Sequence, residues 1–218
     1  MAPKEGVSKC NFSSSTVSEE LLHDFVAYGV LPPKTVVQWR APERERRPDP
    51  HPGEHIFFTS WLNRGFTPPG SKFLREVLHF FYLHPQDISP NSLMYIAMHT
   101  TLCEGYLCIK PSLPLFRYLF QCKERDRFVQ CGAITFQRRP GVEFPTPHFH
   151  KKIEDWQKSY FYCKSVVPEG QLDFLPFSES RFSPSERFIS AKVPLTEEEL
   201  QSIRPLREKL MVDRKSVV

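Results

Sequence analysis

With 218 residues the chain has room for one sizeable core and not for two ordinary domains with linkers. Its 29 basic and 25 acidic side chains leave a net charge of +4, enough for weak attraction to phosphate but without the dense basic stripe of a dedicated nucleic-acid module. The 21 prolines are about twice average usage, and with 19 phenylalanines they predict a compact core joined by much irregular chain.

The first 17 residues are small and polar, with the run Ser13, Ser14, Ser15, Thr16, and read as a flexible tail. Ser18 then has the character of an N-cap, with Glu19 and Glu20 in the first turn, Leu21, Leu22, Phe25 and Val26 on one face and Gly29 as terminator. Beyond Pro32 and Pro33, the run Thr35 to Trp39 favours a short strand. Residues 41–55 mix alternating charge with four prolines and read as an exposed loop. Within it His51, Glu54 and His55 have the letters of an inverted zinc-protease signature, but Pro52 and Gly53 deny them the regular helix that such a site needs.

Ile56, Phe57 and Phe58 predict a second strand, with Trp61 and Leu62 continuing the apolar run. Ser71 caps the next helix, where Phe73, Leu74, Val77, Leu78, Phe81 and Tyr82 recur at the helical period, with Lys72, Arg75, Glu76 and His79 on the outer side and Pro85 as the stop. A further helix starts at Ser89 and Pro90, and its stripe of Leu93, Ile96, Ala97, Thr100, Cys103 and Leu107, widened by Met94 and Met98, predicts burial. Pro111 and Pro114 break the chain before a short helix from Leu115 to Phe120.

A charged turn over 123–127 precedes the β-favouring run 128–136, and Arg138 to Gly141 form another turn. Tyr160 to Cys163 read as a final strand, paired in antiparallel with 128–136. The fold class is therefore α+β: a single, mainly helical domain over 18–165, with a helical hairpin-like core and a few short antiparallel strands. A Pro/Ser-rich arm follows over 166–195. Thr196 and Glu199 form a capping box for a basic amphipathic helix and tail over 196–218.

The segments 30–42, 73–83, 89–120 and 156–164, VLPPKTVVQWRAP, FLREVLHFFYL, SPNSLMYIAMHTTLCEGYLCIKPSLPLFRYLF and WQKSYFYCK, together resemble the plant gypsy-type transposase domain of retroelement-derived proteins. The resemblance spans roughly residues 18 to 165 and implies a gag-like position in the element, with no catalytic residues to carry over. One departure is that Tyr106, Leu107 and Cys108 follow Gly105 where a Leu-Gly pair is usual after the Cys-Glu of the central block. The family's long C-terminal coiled coil does not follow either, which makes the chain a fragment or a truncated copy in this reading.

The residues themselves offer little chemistry. Retroelement protease and paired-aspartate polymerase motifs are missing, as are phosphate-loop, dinucleotide and nucleophile-elbow signatures, so no catalytic, cofactor or metal residues are assigned and a non-enzyme is expected. Among the six cysteines, Cys10, Cys103, Cys108, Cys122, Cys131 and Cys163, Cys103 and Cys108 fall five apart on a predicted buried helix, and Cys122 and Cys131 lie too far off to complete a zinc knuckle. His148 and His150, with Cys163, are a weaker ligand candidate than ordinary loop histidines.

Without an N-terminal apolar run, the thiols are expected to be reduced and the protein intracellular, in nucleus or cytoplasm, with no membrane contact. The leading expectation is a non-catalytic assembly module that self-associates, joins other element-encoded proteins or binds nucleic acid weakly. The alternative is a DNA-binding transposase-like domain with Arg138, Arg139, Lys151, Lys152 and Lys158 on phosphates. A metal-dependent nuclease or integrase stands behind both.

Overall fold

The computed structural model describes residues 12–43, 45–124, 132, 134–142, 144, 155–164, 197, 201 and 204. Over these residues the elements are α1 (Glu19–Ala27), β1 (Gln38–Arg40), β2 (Glu54–Phe58), α2 (Thr59–Leu62), α3 (Lys72–Phe81), α4 (Pro90–Thr101), α5 (Leu113–Leu119), β3 (Phe120–Glu124), β4 (Ile134–Arg138) and β5 (Tyr160–Lys164). Helices and short antiparallel sheets coexist, which is the α+β class.

Local signals account for the helix starts. Ser18 Oγ accepts from the Leu21 amide at 3.3 Å, and Ser71 Oγ accepts from the Leu74 amide at 3.1 Å, so each serine satisfies an amide that the first turn leaves without a partner. Ser89 behaves differently from the expected cap: its hydroxyl bonds the Ser92 hydroxyl at 2.9 Å. Ser92 in turn accepts from the Phe136 amide at 2.9 Å, which ties α4 to β4. The end of α3 comes earlier than Pro85. Tyr82 takes a left-handed conformation at φ 53°, and the Leu83 amide returns to the Leu78 carbonyl at 2.9 Å.

Beyond Thr101 the helical path continues as a wider π-turn over Leu102–Leu107 and stops at Cys108, also left-handed, whose neighbour Ile109 donates back to the Cys103 carbonyl at 2.9 Å. α5 starts two residues before the expected helix, with Ser112 Oγ accepting from Leu115 N, and Pro114 lies within its first turn. Phe120, expected as the helix end, opens β3 instead, and the supposed turn residues Lys123 and Glu124 belong to that strand.

Strand pairing departs from the sequence reading. β5 does not pair with the 128–136 run. It is the central strand of an antiparallel sheet ordered β1-β5-β2, with Trp39 opposite Cys163 and Ile56 opposite Tyr162. The 134–138 strand pairs with β3 instead, Cys122 opposite Phe136. The reason is burial: Tyr160, Phe161, Tyr162 and Cys163 are all buried, and a strand covered on both faces belongs in the middle of a sheet. Both sheets and α3–α5 contribute to one hydrophobic core, and where the β3–β4 hairpin meets the helices Phe73, His99, Phe116, Phe120 and Phe136 contact one another ring to ring. Burying each large apolar side chain contributes about 1.5–3 kcal/mol.

Residues 12–17, assigned from composition to the tail, lie along β5. The Thr16 amide donates to Lys158 O at 2.8 Å, Ser15 Oγ donates to Tyr160 O at 2.6 Å, and Val17 is buried. The 166–195 arm lies outside the described residues, as does the C-terminal helix apart from Glu197, Gln201 and Arg204, which are helical.

Candidate nucleic-acid interface

The hairpin of β3 and β4 sets Arg139 beside Arg117 of α5, with Arg138 just before it at the end of β4. Arg138 closes β4 opposite Phe120, and its Nη1 donates to the Phe144 carbonyl at 3.3 Å. Arg139 is fixed twice: its amide donates to Leu119 O at 2.9 Å, and its Nε donates to Arg117 O at 2.7 Å. The Arg117 guanidinium lies over the Phe80 ring, 4.7 Å from the centroid, so an aromatic face orients it.

Partial burial, and then the nearby Arg117 charge, hold the Arg139 pKa below the ordinary arginine value. Both groups remain cationic, since guanidinium does not deprotonate in proteins. Among the described residues no carboxylate forms an ion pair with Arg117, Arg138 or Arg139. The planar guanidinium fork has the geometry that suits an anion such as a carboxylate or a phosphate.

Of the five basic residues singled out from sequence, Arg139 is brought beside Arg117, while Arg138 reaches the Phe144 carbonyl. Lys158 is engaged elsewhere, its Nζ 3.0 Å from Asp155 Oδ2 in the turn ahead of β5, while Lys151 and Lys152 lie outside the described residues. Sequence reasoning missed Arg117, whose signal was a lone cation inside an otherwise apolar helix. It also put Arg75 on the outer side of α3; Arg75 is instead buried, 9% exposed, because the outer flank of α3 is covered at that position.

Several of the groups considered as metal ligands are engaged or buried elsewhere. His51 is exposed, Glu54 is gripped by Arg40 through Nε at 2.9 Å and Nη2 at 2.8 Å, and His55 is buried within β2, so 41–55 is not simply a solvated loop. Cys103 is fully buried with its Sγ 3.7 Å from His99 Nε2, and burial pushes its thiol up to about 11. Cys108 is exposed, contrary to the buried helix expected for it, because the π-turn and the left-handed cap rotate it outward. Burial pushes Cys122 up to about 12 and Cys163 well above the ordinary thiol range. Cys131, His148 and His150 lie outside the described residues. Among the described residues no three His, Cys, Asp or Glu side chains are grouped to hold a metal ion, and no helix is long and apolar enough to cross a membrane.

Residues 56–124, from β2 through the end of β3, match the family described as "Putative gypsy type transposon". This segment belongs to the gypsy-type transposon family. The match takes in Arg75, Phe80 and Arg117, while Arg138 and Arg139 follow it in the paired strand. No curated protein and no solved structure matches the chain.

Proposed function

We propose that this gypsy-type protein is a non-catalytic, gag-like module that associates with nucleic acid through phosphate contacts. The observation that carries the reading is the approach of Arg139 to Arg117 with no carboxylate of the described residues between them: two cations held together by backbone hydrogen bonds and an aromatic face form a receptor for an anion. The net charge of +4 is consistent with weak, salt-sensitive binding. The packing of His99, Cys103, Cys122 and Cys163 supports the non-catalytic part, because burial holds these groups neutral at physiological pH and suits them to a core more than to proton transfer or nucleophilic attack.

Fluorescence anisotropy with labelled single-stranded and duplex oligonucleotides, over a salt series, tests this. Replacing Arg117 and Arg139 with methionine should weaken binding and reduce the magnitude of the salt slope by about two, one per phosphate contact. Unchanged binding in the double variant overturns the reading. A strong duplex preference would favour the transposase-like alternative, and magnesium- or manganese-dependent plasmid cleavage would replace a binding role with an enzymatic one. Light scattering on the full chain tests self-association.

A further inference from the structure

α3 carries a second cationic feature, separate from the Arg117–Arg139 pair. Arg75 is more than nine-tenths buried, and its Nε and Nη1 are shielded from solvent and make no hydrogen bond to any of the described residues. Buried guanidinium groups ordinarily have a carboxylate or several carbonyls around them, because an unpaired buried charge is strongly destabilising. Among the described residues only the backbone of Arg75 finds a hydrogen-bond partner, its amide donating to Ser71 O at 3.2 Å. Lys72 and His79, three residues before it and four after, share its helical face, and both are exposed. At the end of that face Tyr82 is held left-handed at φ 53°, its half-exposed ring stacked on His79 with centroids 6.1 Å apart. Non-glycine residues in that conformation are strained and gather at ligand sites. Glu76 is the one acidic residue of α3.

We infer that Arg75 is the receiving group of a phosphate-binding site on α3, with Lys72 and His79 beside it on the same face. Nη2, the guanidinium nitrogen that is not shielded, donates to a phosphate oxygen, and the exposed lysine adds a point charge. Free phosphate and the phosphodiester of a nucleic-acid strand share this chemistry. The inference takes from the reading above only the choice of a strand as one source.

The experiment uses the full chain. Its thermal unfolding is followed with and without about 10 mM inorganic phosphate at matched ionic strength, in wild type, Arg75→Met and Arg75→Lys. Phosphate should raise the wild-type Tm by about 3 °C, raise that of Arg75→Lys less, and leave Arg75→Met unmoved. Without phosphate, Arg75→Met should melt about 4 °C above wild type, since an isosteric apolar side chain relieves the unpaired charge. A phosphate response that survives Arg75→Met, or one missing from wild type, overturns the inference, as does an Arg75→Met protein that melts lower in phosphate-free buffer.

A single-stranded oligonucleotide that suppresses the phosphate response identifies the strand as source, whereas an unaltered response identifies free phosphate. Both keep the site. Should Arg117→Met with Arg139→Met leave oligonucleotide binding intact while Arg75→Met abolishes the phosphate response, the proposed function fails and this site stands. The opposite pattern removes the site and leaves the proposed function.

Discussion

Arg40 holds Glu54 across the central strand: the two residues lie on β1 and β2, the outer strands of the sheet, and their paired hydrogen bonds at 2.9 and 2.8 Å pass over Tyr162 of β5. The guanidinium sits 4.1 Å from the centre of the Tyr162 ring. Around it the loop before β2 is fastened at several points. Tyr162 OH donates to Glu45, the Asp49 amide donates to Tyr162 OH at 2.7 Å, and the His51 amide donates to Glu54 Oε2 at 2.7 Å. A stretch whose composition forbids a hydrophobic core is thereby ordered through polar contacts.

Glu54→Gln should therefore lower stability by about 2 kcal/mol, the scale of hydrogen bonds to charged groups, and lower Tm by about 4–8 °C. Burial raises the Glu54 pKa, but the Arg40 hydrogen bonds, the His51 amide and the Arg40 charge outweigh it and hold the carboxyl below its ordinary value. The stability from this pair is present above the unfolded-state value near 4.5 and is lost as pH falls through the depressed folded value. Thermal melts between pH 6 and 3 should show a shallower acid decline in Glu54→Gln than in wild type. Parallel declines would mean that the pair contributes no linkage.

His99 gives a second pH dependence in a different window. It is fully buried against Phe73, Phe116 and Phe120, and burial lowers its pKa to about 4, with a backbone hydrogen bond to Ser112 acting the other way. The folded protein keeps the ring neutral, whereas the unfolded chain takes up a proton near pH 6.5. Stability is therefore full above 6.5 and falls as pH drops from 6.5 toward 4, by up to about 3 kcal/mol. His99→Leu should flatten melting temperatures between pH 7 and 5. In the wild type, the His99 ring protons should titrate near pH 4 by NMR, and a midpoint near 6.5 would show that the ring is not enclosed.

How much of this was legible from residues alone depended on range. Ser18, Ser71 and Pro90 announced helix starts because capping and proline geometry act within one turn. The partner of β5 was not legible, since pairing Trp39 with Cys163 depends on contacts more than a hundred residues apart, and an apolar run such as Tyr160 to Cys163 does not name its neighbour. Arg75 and Arg117 were misjudged or missed for a related reason. Helical phase puts Arg75 on the flank, but whether that flank meets water or another part of the chain is a tertiary fact. Arg138 and Arg139 were legible as cations, and their lack of carboxylate partners among the described residues was not.

Gly132 sharpens a contact that no periodicity reveals. Its amide donates to Gln86 O at 2.9 Å, its φ is +68°, and a Cβ placed on it would come within 2.4 Å of Trp156 Cζ2 and 3.4 Å of the Ser89 backbone. Trp156 packs edge-on to Phe58 at 4.7 Å between ring centroids, so it cannot retreat without disturbing β2. Gly132→Ala therefore meets both left-handed strain and a rigid neighbour, and should destabilise by about 3 kcal/mol. Gly141 separates the two effects, because it has φ +76° and nothing within 4 Å of an added Cβ. Gly141→Ala should cost only the strain, about 1 kcal/mol. Urea denaturation of the two variants reads the difference as the Trp156 clash. Equal losses would mean that the indole moves freely and that the junction of Gly132, Ser89 and Trp156 is looser than the packing indicates.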